Sequence, residues 1–144
     1  MVDSNSNKNI CFYLSELTYG GAEKVVINLA NFLVNNNYRV TILTLNNKND
    51  FKEFINSKVE LVSLNSINIK NSIIPYYKYL KKNDFDFVFS NIWPINLISA
   101  FFKILGLKTN MILIEHCNLS EEFRKKSFFF KFLQNISIYI FYRF

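Results

Sequence analysis

Residues 10–30 read ICFYLSELTYGGAEKVVINLA, and the hydrophobic pattern of this segment changes at Gly20-Gly21. Residues 10–14 form a short apolar run typical of a buried strand. From Ala22 onward the apolar residues recur at the spacing of one helix face: Val25, Val26, Leu29, Ala30 and Leu33. Three asparagines at 35–37 then predict the end of the helix. The segment therefore predicts a strand, a turn and a helix that begins at the glycine pair.

The same alternation of strand and helix patterns continues along the chain. Further strands are predicted at 39–45, 58–64, 85–89 and 111–114. Residues 51–55 predict one or two helical turns, and 72–82 predict a helix with Pro75 near its first turn and with Ile74, Tyr77 and Leu80 on its core face. The next predicted helix has Pro94 in its first turn and Gly106 at its end. Its core stripe is Leu97, Ile98, Phe101, Phe102 and Leu105.

This alternation predicts the fold class. Parallel strands need crossover connections, so the pattern indicates an α/β domain with a Rossmann-like parallel sheet and helices on both faces. A chain of 144 residues with 50% hydrophobic content fits one domain at 10–144. Residues 1–9 are polar and are expected to form a flexible tail. The apolar segment 120–144 ends without a cap, so we expect a natural chain that continues.

The cysteines favour a cytoplasmic location. Cys11 lies in an apolar run, and Cys117 lies beside the single histidine. Two cysteines placed in this way form neither a disulfide framework nor the paired spacing of zinc ligands. The apolar run that follows the polar start is too short for a signal peptide.

The chain has a net charge of +6, and its basic residues form two clusters next to aromatic and aliphatic residues. They consist of Lys78, Lys81 and Lys82, and of Arg124, Lys125, Lys126 and Lys131. No nucleic-acid motif accompanies them, so the pattern favours peripheral binding to an anionic membrane surface over binding to nucleic acid. The alternative is that the aromatic residues belong to the core and the bases to a solvated face.

Ligands of open α/β sheets bind at the carboxyl ends of the strands. Gly20-Gly21 follow the first strand there, and their backbone can approach a phosphate at a helix N-terminus. The alternative is a turn that needs positive φ. The segment is neither G-x-G-x-x-G nor a P-loop, so no dinucleotide or ATP site is indicated.

Two further sets of residues follow predicted strands. Asn91 either hydrogen-bonds a sugar hydroxyl or caps the following helix, and the cap is favoured. Trp93 either stacks on a sugar ring or fills the core, and the core is favoured. His116 is either a proton-transfer or hydrogen-bonding group or a structural residue. Glu115 is favoured as a capping or supporting residue, and Cys117 as a packing residue. No metal-ligand cluster is present in the sequence, so no metal is expected.

Three segments together carry a family resemblance: residues 10–14, GGAEKVVINLA at 20–30 and YRVTILT at 38–44. They resemble the opening of family 4 retaining glycosyltransferases of GT-B fold, especially members that extend lipid-linked oligosaccharides or build surface polysaccharides. The later GLKT at 106–109, the strand at 112–114 and Glu115-His116 look like the same family's next strand and loop.

The resemblance implies a function and assigns the donor contacts to two domains. Gly20 and Gly21 would lie against the diphosphate of a nucleoside diphosphate sugar, and His116 would act as the catalytic residue near the transferred sugar. The acceptor would be a glycan or a lipid-linked glycan, with retention of configuration and no metal or other cofactor. In that family, a second domain carries the contacts to base and ribose and a motif of two glutamates with seven residues between them. No two glutamates in this sequence have that spacing. The chain would then be the N-terminal half, inactive alone; the alternative is a non-catalytic binding module or partner subunit.

Overall fold

Strands and helices alternate along the chain in a computed structural model that describes residues 8–91 and 94–114. The strands are β1 (Asn9–Leu14), β2 (Arg39–Thr44), β3 (Glu60–Ser63), β4 (Phe87–Ser90) and β5 (Asn110–Leu113). The helices are α1 (Gly21–Asn35), α2 (Ile69–Lys82) and α3 (Ile95–Ile104), with a 3-10 turn at Lys52–Phe54. β1 includes Asn9, which the sequence pattern assigned to the tail.

The five strands form one parallel sheet in the order β3-β2-β1-β4-β5. This confirms the predicted Rossmann-like α/β class. The chain runs outward from β1 through β2 to β3 and then crosses to β4 on the other side of β1. A parallel sheet opens a crevice where its strand order reverses, so the geometry singles out the carboxyl ends of β1 and β4.

Alternate residues of β1 pack into two separate cores. Ile10, Phe12 and Leu14 pack with α1 on one face. Cys11 and Tyr13 pack with residues of α2 and α3 on the other face. Helices therefore cover both faces, as predicted, and β1 is buried on both sides.

The asparagine run ends α1, as its sequence indicates. Asn37 has φ 66°, and its amide donates to Val34 O at 3.2 Å while the amide of Tyr38 donates to Leu33 O at 3.1 Å. These two bonds form a Schellman motif, which satisfies carbonyl groups that the helix end leaves open. Asparagine is one of the few non-glycine residues that readily adopt this left-handed conformation.

Helix α2 begins earlier than predicted. The Asn68 side chain accepts a hydrogen bond from the amide of Asn71 at 3.0 Å and so caps a helix that begins at Ile69, three residues before the predicted start. Pro75 consequently lies inside the helix, and its predicted place in the first turn is wrong. The core face also differs, because Tyr76 is buried and Ile74 is exposed.

Helix α3 ends as predicted but is rotated from the predicted face. Phe102 is buried, whereas Phe101 and Leu105 are exposed, so the predicted stripe is wrong at those two positions. The buried residues are Ile95, Asn96, Ser99, Ala100 and Phe102. Gly106 has φ 87°, and its amide and that of Leu107 donate to Lys103 O and Phe102 O, which is a second Schellman motif.

Candidate active site

The loop between β1 and α1 is held by the segment that follows β2. Ser15 O accepts from the amide of Leu45 at 2.9 Å. Leu17 donates to Lys48 O at 3.2 Å and accepts from the amide of Asp50 at 2.8 Å. These backbone bonds fix the chain just before Gly20-Gly21 at the carboxyl edge of the sheet.

The two glycines start α1 without a left-handed turn. Gly20 is the N-cap, with φ −155° and ψ 163°, and Gly21 is the first helical residue. Neither has positive φ; among the described residues only Asn37, Asn65 and Gly106 do. The alternative that this pair forms a turn needing positive φ is therefore wrong.

The space around the two glycines differs. A Cβ atom at Gly20 would overlap the carboxylate of Glu23, whereas a Cβ atom at Gly21 would meet no atom of the described residues within 4 Å. Glu23 lies in the first turn of α1, where a negative charge is stabilised by the helix dipole. The first amides of a helix also lack partners within that helix. Among the described residues, the α1 N-terminus thus has an open approach at Gly21, and the Glu23 carboxylate lies close to Gly20.

Asn91 joins the ends of the two strands that border the crevice. It is fully buried, and its Nδ2 donates to Tyr13 O at 3.4 Å and to Phe89 O at 3.1 Å. The N-cap of α3 is Pro94, so the favoured interpretation of Asn91 as that cap is wrong. The structure brings Asn91 to the end of β1, the strand that leads to Gly20-Gly21.

The end of β5 is fixed from two sides. The amide of Ile114 donates to Ser90 O at 2.8 Å, and Asn96 Nδ2 donates to Ile114 O at 3.0 Å. Asn96 was not singled out in the sequence, although a polar residue inside an apolar helix pattern is a usable signal. Trp93, Glu115, His116 and the basic cluster at 124–131 lie outside the described residues, and the predictions made for them stay predictions.

Two cavities that are lined by described residues lie away from this edge. A cavity of about 770 Å³ is lined by residues that precede β4 and β5, including Asn83, Asp84 and Leu107, and so lies at the amino ends of those strands. A groove of about 610 Å³ runs between α2 and α3. At the carboxyl ends of β2 and β3, a cavity of about 240 Å³ is lined by Leu17 of the loop and by Lys48 and Lys52. Size alone does not mark the site, because parallel sheets bind ligands at their carboxyl edge.

Cys11 does not suit nucleophilic chemistry. It is fully buried in β1, and this burial raises the pKa of its thiol far above the usual range. Within 8–91 and 94–114, no three histidine, cysteine, aspartate or glutamate residues are grouped closely enough to hold a metal ion. No helix in the same ranges has the length and apolar character needed to cross a membrane.

The comparison with known families agrees with this geometry. The model of Glycosyltransferase Family 4 matches residues 19–144, from one residue before the glycine pair onward. No curated protein matches the chain significantly. The match covers far more than half of the 144 residues, and the Rossmann-like parallel sheet is consistent with half of a GT-B fold. The chain therefore belongs to glycosyltransferase family 4 and is a glycosyltransferase-type domain.

Proposed function

We propose that this domain serves an enzyme that transfers a sugar from a nucleoside diphosphate sugar to a glycan or lipid-linked acceptor with retention of configuration. The domain would supply the acceptor side of the cleft and one contact to the donor diphosphate. In such an enzyme a second domain would bind the base and ribose. Family membership supports the transferase class, and the residues at the carboxyl edge support the finer assignment.

Gly21 is the observation that carries the proposal. Its helical conformation is open to any residue, and a side chain there would meet no atom of residues 8–91 and 94–114, so the described part of the fold does not require glycine at this position. Glycine in fact costs helix stability, because it has more conformational freedom to lose. A close approach of a ligand to the backbone explains the residue, and the amides of the first turn suit a diphosphate.

Pyrophosphate titration of the 144-residue chain, followed by backbone amide resonances, tests the diphosphate contact. We expect pyrophosphate to shift the amides of Gly21 and Ala22, and Gly21→Ala to weaken binding about tenfold because its methyl group obstructs the approach. Asn28→Ala, an exposed change later in α1, should leave binding unchanged. Equal binding by Gly21→Ala and wild type would refute the contact.

His116 is proposed to act on the transferred sugar or the departing phosphate, with Glu115 in support. An imidazole titrates near neutral pH and can donate a hydrogen bond or transfer a proton. In an active form of the proposed enzyme, His116→Ala should lower turnover by about a hundredfold or more with little loss of stability. Near-normal turnover in the folded variant would leave His116 with a structural role only.

The groove between α2 and α3 supports a membrane-bound acceptor. Its walls are apolar and partly exposed, with Ile74 66% and Phe101 48% accessible. Among the described residues, the charged side chains that line it are Lys78, Lys81 and Lys82, and no carboxylate does. An apolar groove with this cationic rim suits the interfacial region of an anionic bilayer. The proposed enzyme would therefore lie in the cytoplasm and bind the inner face of the membrane.

Co-sedimentation with phosphatidylglycerol vesicles tests this surface. We expect the chain to bind such vesicles but not neutral phosphatidylcholine vesicles, and replacement of Lys78, Lys81 and Lys82 by glutamate to abolish binding. Replacement of Lys24, Lys52 and Lys58 by glutamate makes the same change in net charge away from the groove and should leave most binding intact. Equal loss in both variants would indicate attraction by net charge alone and would contradict the assignment of this groove.

A further inference from the structure

The cavity at the carboxyl ends of β2 and β3, called here the β2-β3 cavity, lies beside the loop that joins β1 to α1. Its apolar walls come from Leu17, Ile42 and Leu61. Its volume of about 240 Å³ lies below the roughly 300–1,000 Å³ of sites for drug-sized ligands. The cavity therefore suits one sugar ring and is too small for a nucleoside diphosphate. The strand order places it on the opposite side of β1 from the crevice at β4.

The loop that covers this cavity is held in place by its own hydrogen bonds. Leu17 and Asn49 form an isolated parallel bridge. Asn46 Oδ1 accepts from the amide of Lys48 at 3.0 Å, and Asn49 Oδ1 accepts from the amide of Phe51 at 3.0 Å. A ligand therefore does not have to order the loop, which lowers the cost of binding.

These internal bonds use side-chain acceptors and leave donors available. In residues 8–91 and 94–114, no hydrogen bond or ion pair uses Asn49 Nδ2, Lys52 Nζ or the hydroxyl hydrogen of Ser63. Ser63 Oγ itself accepts from the amide of Asn65 at 3.1 Å. Asn47 Nδ2 donates to Asn65 Oδ1 at 2.7 Å, so Asn47 Oδ1 stays available to a hydroxyl group. Free donors around a cation favour an anionic group in the cavity.

The charges around the β2-β3 cavity favour the same kind of group. Lys48 and Lys52 line it, and among the described residues no carboxylate does. Glu16 lies outside the lining, where its Oε2 accepts from Asn46 Nδ2 at 3.2 Å and lies 3.5 Å from Lys48 Nζ. Glu16 thus offsets the charge of Lys48, and Lys52 is the cation that a ligand can use.

We propose that the β2-β3 cavity binds an acidic sugar of the acceptor, a sugar ring that carries a carboxylate or a phosphate group. Lys52 Nζ and Asn49 Nδ2 contact the anionic group, Asn47 Oδ1 accepts from a ring hydroxyl, and the apolar walls contact the ring. The assignment of this sugar to the acceptor rests on the proposed function. The binding of an acidic sugar does not, so the two can fail separately.

Titration of the 144-residue chain with soluble sugars tests the site through the side-chain amide of Asn49 and the backbone amides of Lys52 and Ser63. We expect methyl glucuronide or glucose 6-phosphate to shift these resonances, and the tighter of the two identifies the anionic group. Neutral methyl glucoside should bind at least about tenfold more weakly, because it cannot form the charge-assisted hydrogen bond. Equal binding by methyl glucoside, or binding of inorganic phosphate as tight as that of the better acidic sugar, would overturn the proposal.

Two substitutions change the charge at the cavity in opposite directions. Lys52→Gln should weaken binding of the acidic sugar about tenfold. Its control is Lys58→Gln, the same change at an exposed residue that precedes β3 at the amino edge, which should leave binding unchanged. Glu16→Gln should strengthen binding about twofold to fivefold, because it releases Lys48. Its control is Asp84→Asn, at the amino edge before β4.

An unchanged affinity in Lys52→Gln, or an equal loss in Lys58→Gln, would show that this cavity is not the site. If acidic sugars bind here while pyrophosphate leaves the amide of Gly21 unshifted, the donor contact fails and the acidic-sugar site stands. If pyrophosphate shifts Gly21 and neither acidic sugar shifts Asn49, the acidic-sugar site fails and the donor contact stands.

Discussion

Gly20 and Gly21 are neighbours in sequence but meet opposite physical constraints. Gly20 is the N-cap, where glycine is tolerated much better than alanine, and a methyl group there would displace the Glu23 carboxylate. Gly21 is helical and has open space, so alanine would reduce the conformational entropy of the unfolded chain without strain.

The same substitution should therefore change stability in opposite directions at these two positions. We expect Gly20→Ala to lower the free energy of unfolding by about 0.5–1 kcal/mol, and Gly21→Ala to raise it by about 0.5–1 kcal/mol. Urea denaturation of both variants measures the difference. If both variants change the free energy of unfolding in the same direction, the position of the Glu23 carboxylate does not depend on the space left by Gly20.

Ser90 and Ser99 form a second informative pair of residues. Both are fully buried, but Ser99 Oγ bonds Tyr76 OH, whereas Ser90 Oγ has no hydrogen-bond partner in the described part of the chain. An unsatisfied buried hydroxyl is unfavourable, and removal of a satisfied one leaves its partner unpaired.

We expect Ser90→Ala to leave the free energy of unfolding unchanged or to raise it by up to about 1 kcal/mol. Ser99→Ala should lower it by about 1–2 kcal/mol, because Tyr76 OH then remains buried without its bond. Thermal unfolding of the two variants side by side decides the matter. A loss at Ser90 as large as that at Ser99 would reveal a partner of the Ser90 hydroxyl.

The residues of the site were only partly predictable from sequence. The position of Gly20-Gly21 at the start of α1 follows from the change in hydrophobic pattern, and the structure confirms it. Asn91 was misassigned because an asparagine before a helix has the same local signature whether it caps that helix or reaches back to β1. Only the packing of β4 against β1 distinguishes the two, and that contact joins residues distant in sequence.

The C-terminal ends of the helices were predicted better than the helix faces. Both Schellman motifs coincide with residues that accept positive φ, Asn37 and Gly106, so a local rule sufficed. The buried face of α3 was misjudged because apolar residues occur all around this helix, while its polar residues Asn96 and Ser99 are buried. Periodicity alone cannot orient such a helix.

The end of α3 allows a direct test at the level of one element. Gly106 has φ 87°, and alanine in this conformation costs roughly 1–2 kcal/mol. Gly106→Ala should therefore lower the free energy of unfolding by about that amount, although a Cβ atom there would meet no described atom within 4 Å. The comparison variant is Gly21→Ala, the same chemical change at helical φ, which should be stabilising. A neutral Gly106→Ala would mean that the end of α3 changes its backbone conformation without cost.

The spatial order of the strands is a property of the whole molecule. The sequence predicts five strands in parallel, but which strands pair depends on crossovers between distant residues. One contact at the amino edge illustrates this: Asp86, just before β4, accepts from the amide of Asn9 at 2.8 Å and from Lys8 Nζ at 3.0 Å. These two donors lower the pKa of Asp86, the amide being the larger influence. Neither partner can be recognised without knowing that β1 and β4 are neighbours.

Cys11 can report on the stability of the whole sheet. It is fully buried in the central strand, where it pairs with Thr41 of β2 and Val88 of β4. Burial raises the pKa of its thiol, so the native state offers neither access nor thiolate to a reagent. The thiol can reach solvent only if β1 separates from its neighbours, and that separation breaks both cores at once.

In a Cys117→Ser background, we expect an aromatic disulfide reagent to label Cys11 at least about a thousandfold more slowly than an unstructured thiol, as the opening of a domain of ordinary stability requires. The free energy of opening from these rates should equal that from urea denaturation, with the same dependence on urea. A cysteine placed at exposed Asn28, with both native cysteines replaced, should react at the rate of a free thiol. An opening free energy at Cys11 well below the global value would mean that β1 separates while the rest stays folded, so that the crevice between β1 and β4 opens as a local event.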